Sequence, residues 1–170
     1  RAPQEDIRYR TYGEWVENIA CTMRRLPGGL VLSGAMQQAE TLCRSLWGRY
    51  TRRLLLHGDL HHDNILQCEG GYRIIDPKGV IGDPLFDLPR FLLNEPYRDA
   101  ARPVDFLQAA LETLAARLGY PAADIARCFF VDMAMSRCWS VEDGAPPEEY
   151  PAWEAEVNLA TALLSRYERE

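Results

Sequence analysis

Lysine is almost missing from this chain: of its 19 basic residues 18 are arginine, and Lys78 stands alone. Histidine is nearly as scarce, and all three copies (His57, His61, His62) fall within six positions. The five cysteines, Cys21, Cys43, Cys68, Cys128 and Cys138, are odd in number and form no C-x-x-C pair. That pattern argues against a disulfide framework or a zinc knuckle and for a reduced, cytoplasmic compartment. No run approaches the roughly 18 apolar residues that span a bilayer, so a soluble protein with no membrane partner is expected. The opening RAPQEDIRYR has neither an initiator Met nor a basic-then-apolar signal segment, a start expected of a cut made inside a longer protein.

What is present is a chain of 170 residues with 47% hydrophobic content, enough for one globular domain with a sizeable core. Acidic and basic residues balance over 1–137, while 138–170 carry 8 acidic against 2 basic residues and hold the whole net charge of −6. An acidic segment disfavours nucleic acid and suits a cationic partner, although a solvated helix face produces the same bias.

Hydrophobic spacing sets out the elements. Thr11 and Glu14 stand in capping-box register ahead of Tyr12, Trp15, Val16, Ile19, Met23 and Leu26, until Pro27-Gly28-Gly29 stops the pattern. A second helix is predicted over 33–50, with Met36, Ala39, Leu42, Cys43, Leu46, Trp47 and Tyr50 on one face. The period then shortens. LLL (54–56), ILQC (65–68) and YRII (72–75) read as strands, the last two joined as a hairpin through Glu69-Gly70-Gly71. Asp83 and Pro84 occupy N-cap and N1 of another helix, which Pro89 should disturb. Further helices are predicted over 103–118 (ended by Gly119), 121–141 and 151–168, the last burying Trp153, Val157, Ala160, Leu164 and Tyr167. The fold class is therefore mainly α with a small β-hairpin, α+β, in a single domain over 1–170.

The histidines lie in RLLLHGDLHHDNIL (53–66), interleaved with Asp59, Asp63 and Asn64. A polar loop satisfying its own backbone accounts for single residues of this kind, but not for six capable groups in eight positions. A two-metal phosphoesterase also begins with Asp-x-His. Its ligand set needs histidines from later in the chain, and none follows His62. Phosphoryl transfer fits better. Asp59 and Asn64 have the D-x-x-x-x-N spacing of a kinase catalytic loop, and Asp76 follows the hairpin 17 residues beyond Asp59. One carboxylate, one amide oxygen and phosphate oxygens suit octahedral Mg²⁺, so Asn64 and Asp76 are its candidate ligands and Asp59 the candidate base.

HGDLHHDNIL resembles the H-G-D-x-x-x-x-N loop of the aminoglycoside phosphotransferase and choline kinase group. IIDPKGVIGDPLFDLPRFLLN (74–94) and SRCWSVEDG (136–144) are similar to the streptomycin 6-kinase and hydroxyurea phosphotransferase branch. The resemblance implies the C-terminal lobe of a protein-kinase-like fold, with ATP as phosphate donor, Mg²⁺ and a small cationic substrate, streptomycin first. Hydroxyurea, a small metabolite alcohol or a catalytically inactive binding module are the alternatives. It implies that Asp59 orients or deprotonates the acceptor hydroxyl, and that Asn64 and Asp76 hold Mg²⁺. His61 and Lys78 become candidate phosphate contacts, with Lys78 also able to neutralise Asp76. His57 and Asp87 would brace the loop, and Glu142 and Asp143, at a helix end where carboxylates are unfavourable, would meet a guanidinium or ammonium group.

Such kinases also carry a small lobe whose strand lysine grips the nucleotide. Residues 11–50 read as two helices, and the single Lys lies downstream of the catalytic loop. The nucleotide-clamping lobe is therefore expected to be absent from these 170 residues, and the piece alone to be inactive.

Overall fold

The computed structural model describes residues 9–25, 31–93 and 100–168. The chain runs α1 (Tyr12–Arg25), α2 (Val31–Arg49), β1 (Leu54–Leu56), β2 (Ile65–Cys68), β3 (Gly71–Ile74), β4 (Val80–Gly82), α3 (Leu88–Leu93), α4 (Pro103–Leu118), α5 (Ala122–Glu142) and α6 (Tyr150–Leu164). It is an α+β architecture, mostly helical with two small antiparallel sheets.

The centre is α5. Ile125, Ala126, Cys128, Phe129, Phe130, Val131, Met133, Ala134, Met135 and Cys138 are all buried, so this helix is apolar around most of its circumference and covered along most of its length. α1, α2, α3, α4 and α6 pack on it. α1 begins as its sequence dictates: the Thr11 amide donates to Glu14 Oε2 (2.7 Å), and the Glu14 amide donates to Thr11 Oγ1 (3.1 Å). It buries Tyr12, Val16, Ile19, Ala20 and Met23; Leu26 and the Pro27-Gly28-Gly29 stop lie outside the described residues. α2 presents Leu32, Met36, Ala39, Cys43 and Leu46 to the core, starting two residues earlier than the spacing predicts. α4 ends at Gly119, whose φ of 75° closes the helix as its amide donates a hydrogen bond to the Ala115 carbonyl.

Three expectations need correcting. The hairpin β2–β3 forms, but Gly71 belongs to its second strand and Ile65 lies opposite Ile74, and a second sheet pairs β1 with β4, Leu54 opposite Gly82 and Leu56 opposite Val80. VIG (80–82) sits between Gly79 and Asp83 and has no continuous apolar run like the LLL of β1, so β4 was not legible. The helix from Asp83 is disturbed near its start, but ahead of Pro89 and not at it: Pro84–Asp87 forms a 3₁₀ turn, and α3 starts at Leu88, which puts Pro89 in a first turn where its missing donor is not needed. α6 stops at Leu164 because the Arg166 and Tyr167 amides tighten onto the Leu163 and Leu164 carbonyls, leaving Tyr167 packed on the core beyond the helix.

The cysteines are free thiols. Burial pushes Cys43 and Cys138 up to about 12, and Cys128, fully enclosed in α5, is raised well above the usual range. Only Cys68, on the hairpin, is exposed. Among the described residues, no helix is long and apolar enough to cross a membrane.

Two buried carboxylates clamp the periphery. Asp83 caps the turn before α3 through the Leu85 amide, and it accepts from Arg52 Nε (2.8 Å) and the Tyr120 hydroxyl (2.6 Å). Asp124 accepts from the Tyr50 hydroxyl (2.6 Å) and pairs with Arg49 and Arg127. Burial pushes both carboxyls up, but these donors outweigh it and leave both below the ordinary value of 3.8. A lowered folded value means that each contributes stability above the unfolded value and loses it as pH falls through the folded one. The melting temperature is therefore expected to hold from neutrality to about pH 4 and to fall steeply below it. Asp83→Asn should lower the plateau and flatten part of that fall. An Asp83→Asn melting curve parallel to the wild type's at every pH would remove Asp83 from the acid transition.

Candidate active site

The β1–β4 pair works as a neck. Residues 57–79 leave it and return to it, so groups 19 positions apart in sequence meet at its mouth. His57 fastens the two sides of the excursion: the Gly79 amide donates to its carbonyl (3.1 Å), and its Nε2 lies 2.9 Å from the Ile75 carbonyl. Its Nδ1 accepts the Asp59 amide (3.2 Å), which puts the ring proton on Nε2 and makes the ring a strap between Asp59 and the residue before Asp76. From below, Asp87 accepts the His57 amide at Oδ2 (2.9 Å) and the Gly58 amide at Oδ1 (2.8 Å). Gly58 has no substitute here. Its φ is 77°, and a Cβ would stand 2.9 Å from Cη2 of Trp15 and 3.1 Å from Cγ1 of Val80.

Held this way, the Asp59 carboxylate meets two cations and an imidazole. Lys78 Nζ lies 3.0 Å from Oδ2, Arg90 Nε 3.6 Å from Oδ1 and His61 Nε2 3.9 Å from Oδ2. Lys78 thus faces Asp59, where the sequence offered a phosphate or Asp76 as its partner. Left-handed backbone at Asp76 (φ 56°) and Gly79 (φ 73°) brackets the Asp76–Gly79 turn that carries it. Lys78 also stands over the Trp139 ring, 5.3 Å from its centroid. His61 is mostly buried, with Nε2 3.2 Å from Asn64 Nδ2 and with Nδ1 3.6 Å from Asp63 and lacking a hydrogen bond.

Asn64 is buried, and its Nδ2 donates to the Asp59 carbonyl (2.9 Å). That bond commits the amino end of the amide to the loop and leaves the oxygen as the end a hard cation would take. The Asn64 carbonyl receives the Ile75 amide (3.0 Å), which ties this residue to the strand leading into Asp76. Asp76 is exposed and non-glycine at positive φ, a conformation Asp tolerates better than most residues and one that is concentrated at functional sites. Among the described residues, no group of three or more His, Cys, Asp or Glu could hold a metal by itself. One carboxylate and one amide oxygen fit an ion whose other ligands are phosphate and water, as Mg²⁺ prefers.

Glu142 and Asp143, adjacent in sequence, are separated in space. Asp143 lines a cleft of about 270 Å³ with Lys78, Arg90, Ser136, Trp139 and Ser140. Glu142 lines a second cleft of about 220 Å³ with Arg10, Trp15, Asn18, Ile19 and Trp139, and accepts from the Thr22 hydroxyl (2.7 Å). Trp139 forms the wall between them, edge-on to Trp15 with centroids 5.7 Å apart. The largest omission from the sequence reading is behind Asp59. Asp132, 2% exposed in the middle of α5, pairs with Arg90 (Nε to Oδ2, 3.1 Å) and accepts the Tyr12 hydroxyl (3.1 Å). Burial pushes the Asp132 carboxyl up against the pull of the Arg90 guanidinium, and burial beside Asp132 raises the Tyr12 phenol well above its usual range. A signal existed: FFVDMAM puts a lone Asp inside an apolar helix, where it needs a cationic partner.

Streptomycin 3''-kinase of Klebsiella pneumoniae is 30% identical over 136 residues, covering 76% of this chain and 51% of that protein. The chain therefore spans about half the length of this curated relative. No solved structure matches it significantly. Residues 13–144, from α1 through the end of α5, match the profile of the aminoglycoside/hydroxyurea antibiotic resistance kinases, and the chain belongs to that family.

Proposed function

We propose that these residues form the acceptor- and metal-binding half of an ATP-dependent phosphotransferase, the large lobe of a protein-kinase-like fold. Its acceptor is a hydroxyl of a small cationic antibiotic, with streptomycin the first candidate. The observation that carries this reading is the Asp59 carboxylate, held at the mouth of the neck beside Lys78, Asn64 and the Asp76 turn, with its two ion-pair partners, Lys78 and Arg90, lining the cleft that Asp143 also lines.

Asp59 is the group that orients the acceptor hydroxyl and takes its proton. In the resting arrangement Lys78 covers Oδ2, so an incoming hydroxyl displaces that ammonium, which is then free to meet the transferring phosphoryl oxygens. Asn64 and Asp76 would hold Mg²⁺, which supplies charge neutralisation between the phosphates. Trp139 and Asp143 offer an aromatic face and negative charge to a cationic ring system, and Glu142 adds negative charge in the cleft on the other side of Trp139. His57 and Asp87 keep the loop in register. α1 and α2 precede the catalytic loop where a kinase would carry its nucleotide-clamping strands, so the clamp is assigned to chain outside these residues.

The test is acceptor-dependent ADP release by the full-length protein that contains these residues, with streptomycin, hydroxyurea and simple amino alcohols compared. Streptomycin is expected to support turnover, and mapping the product distinguishes phosphorylation at position 6 from position 3''. Turnover with hydroxyurea alone would move the assignment within the family. Bound Mg-ATP with no turnover on any acceptor would favour a binding module.

A further inference from the structure

Arg90 is an expensive residue to place where it is. Its side chain is 13% exposed, and it lies between two carboxylates, those of Asp132 and Asp59, which are 2% and 17% exposed. Taking a charge cluster out of water brings no net stability that apolar side chains of the same volume could not match. Simple pairing with Asp132 does not account for the geometry either. Nη2 donates to Asp132 Oδ1 at 3.2 Å, but Nε, though 3.1 Å from Asp132 Oδ2 and 3.6 Å from Asp59 Oδ1, is buried without a well-directed hydrogen bond to either. Asp132 Oδ2 is likewise buried without one. One N–H is suspended between a structural carboxylate and the candidate base. Long, poorly aligned contacts of this kind among catalytic groups are the ones that tighten in the Michaelis complex.

The anchoring comes from three separate elements. Asp132 is on α5, Tyr12 on α1 holds Asp132 Oδ1 at 3.1 Å, and Arg90 is on α3, three residues beyond the Asp87 that braces the loop. Lys78, at 46% side-chain exposure, is on the solvent side of Asp59; Arg90 is on the core side.

We infer that Arg90, anchored by Asp132 and Tyr12, is a positioning residue: it fixes Oδ1 of Asp59 from the core and so turns Oδ2 toward the acceptor hydroxyl. This rests on the phosphotransfer reading above. Arginine is required because a planar fork reaches two carboxylates at once, which the point charge of lysine does not do.

The experiment uses the full-length protein in two arms. In kinetics, Arg90→Gln is expected to lower kcat roughly 10²-fold with KM for Mg-ATP and acceptor unchanged, and Arg90→Lys to recover only part of the loss. In ¹⁵N NMR, the Arg90 Nε–H resonance, assigned by its disappearance in Arg90→Lys, is expected to move in Asp59→Asn. A folded Arg90→Gln with wild-type kcat, or a resonance indifferent to Asp59→Asn, overturns the inference. Where Arg90→Gln does not fold, the Asp59→Asn spectrum decides. A wild-type protein with no turnover would sink the phosphotransfer reading, and the spectrum would still decide whether the Arg90 bridge to Asp59 exists.

Discussion

Asp59→Asn is expected to cut acceptor-dependent turnover of the full-length protein by roughly 10²–10⁴-fold, with KM for Mg-ATP and acceptor little changed. The substitution is nearly isosteric. The backbone bonds that fix this position, the Asp59 amide on His57 Nδ1 and the Asp59 carbonyl under Asn64 Nδ2, do not involve the carboxylate and should survive. What is lost is the proton acceptor and the anion facing Lys78 at 3.0 Å and Arg90 at 3.6 Å. Arg90 keeps Asp132, and Lys78 is solvated, so neither cation is stranded and the fold should be retained. The loss then belongs to the chemical step, which steady-state kinetics beside a circular dichroism melt would separate from unfolding. An Asn variant that kept most of the activity would take Asp59 out of the chemistry and leave the loop a purely binding element.

Asp87→Ala should act on the fold and the chemistry together. The carboxylate is the acceptor for two successive amides, His57 and Gly58, at 2.9 and 2.8 Å. Removing it leaves both donors without a partner beneath a loop packed on Trp15 and Val80, at a cost of about 2–4 kcal/mol. For a domain of this size that is a fall in melting temperature of roughly 5–15 °C. The freed loop also lets Asp59 drift relative to Asn64, and small misplacements of that kind cost roughly 10²-fold in rate. Asp87→Asn, which keeps one carbonyl oxygen, should fall between. Hydrogen exchange gives the direct reading: the His57 and Gly58 amides should lose protection in Asp87→Ala. Unchanged protection would mean that the loop is held by the β1–β4 neck alone.

Those residues also show where the sequence was readable. Local rules carried far: the Thr11–Glu14 capping box, the Gly119 stop and the Asp83 cap are each set within a few positions, and all are present. The helix faces were readable because burial repeats with the helical period. β4 was not, because its partner is β1, 26 residues away across the whole catalytic excursion. The candidate site divides in the same way. Asp59, Asn64 and Asp76 announce themselves by spacing within one supersecondary unit. Arg90 and Asp132 are 31 and 73 positions beyond Asp59, on helices whose packing alone brings them together. Glu142 and Asp143 expose a further limit: neighbours at a helix end point in different directions, and a tryptophan divides them.

The solitary lysine has a chemical consequence. With one side-chain amine among these residues, half exposed and resting on the candidate base, an amine-selective acylating reagent has a single side-chain target in this half of the site. Modification would strip the charge from Lys78 and place an adduct across the mouth of the Asp143 cleft. Within these residues a lysine-specific protease has the same single address, the Lys78–Gly79 bond, in the turn that leads into β4. Cleavage there would sever the hairpin from the strand that closes the neck, so its rate records how often the mouth of the site opens.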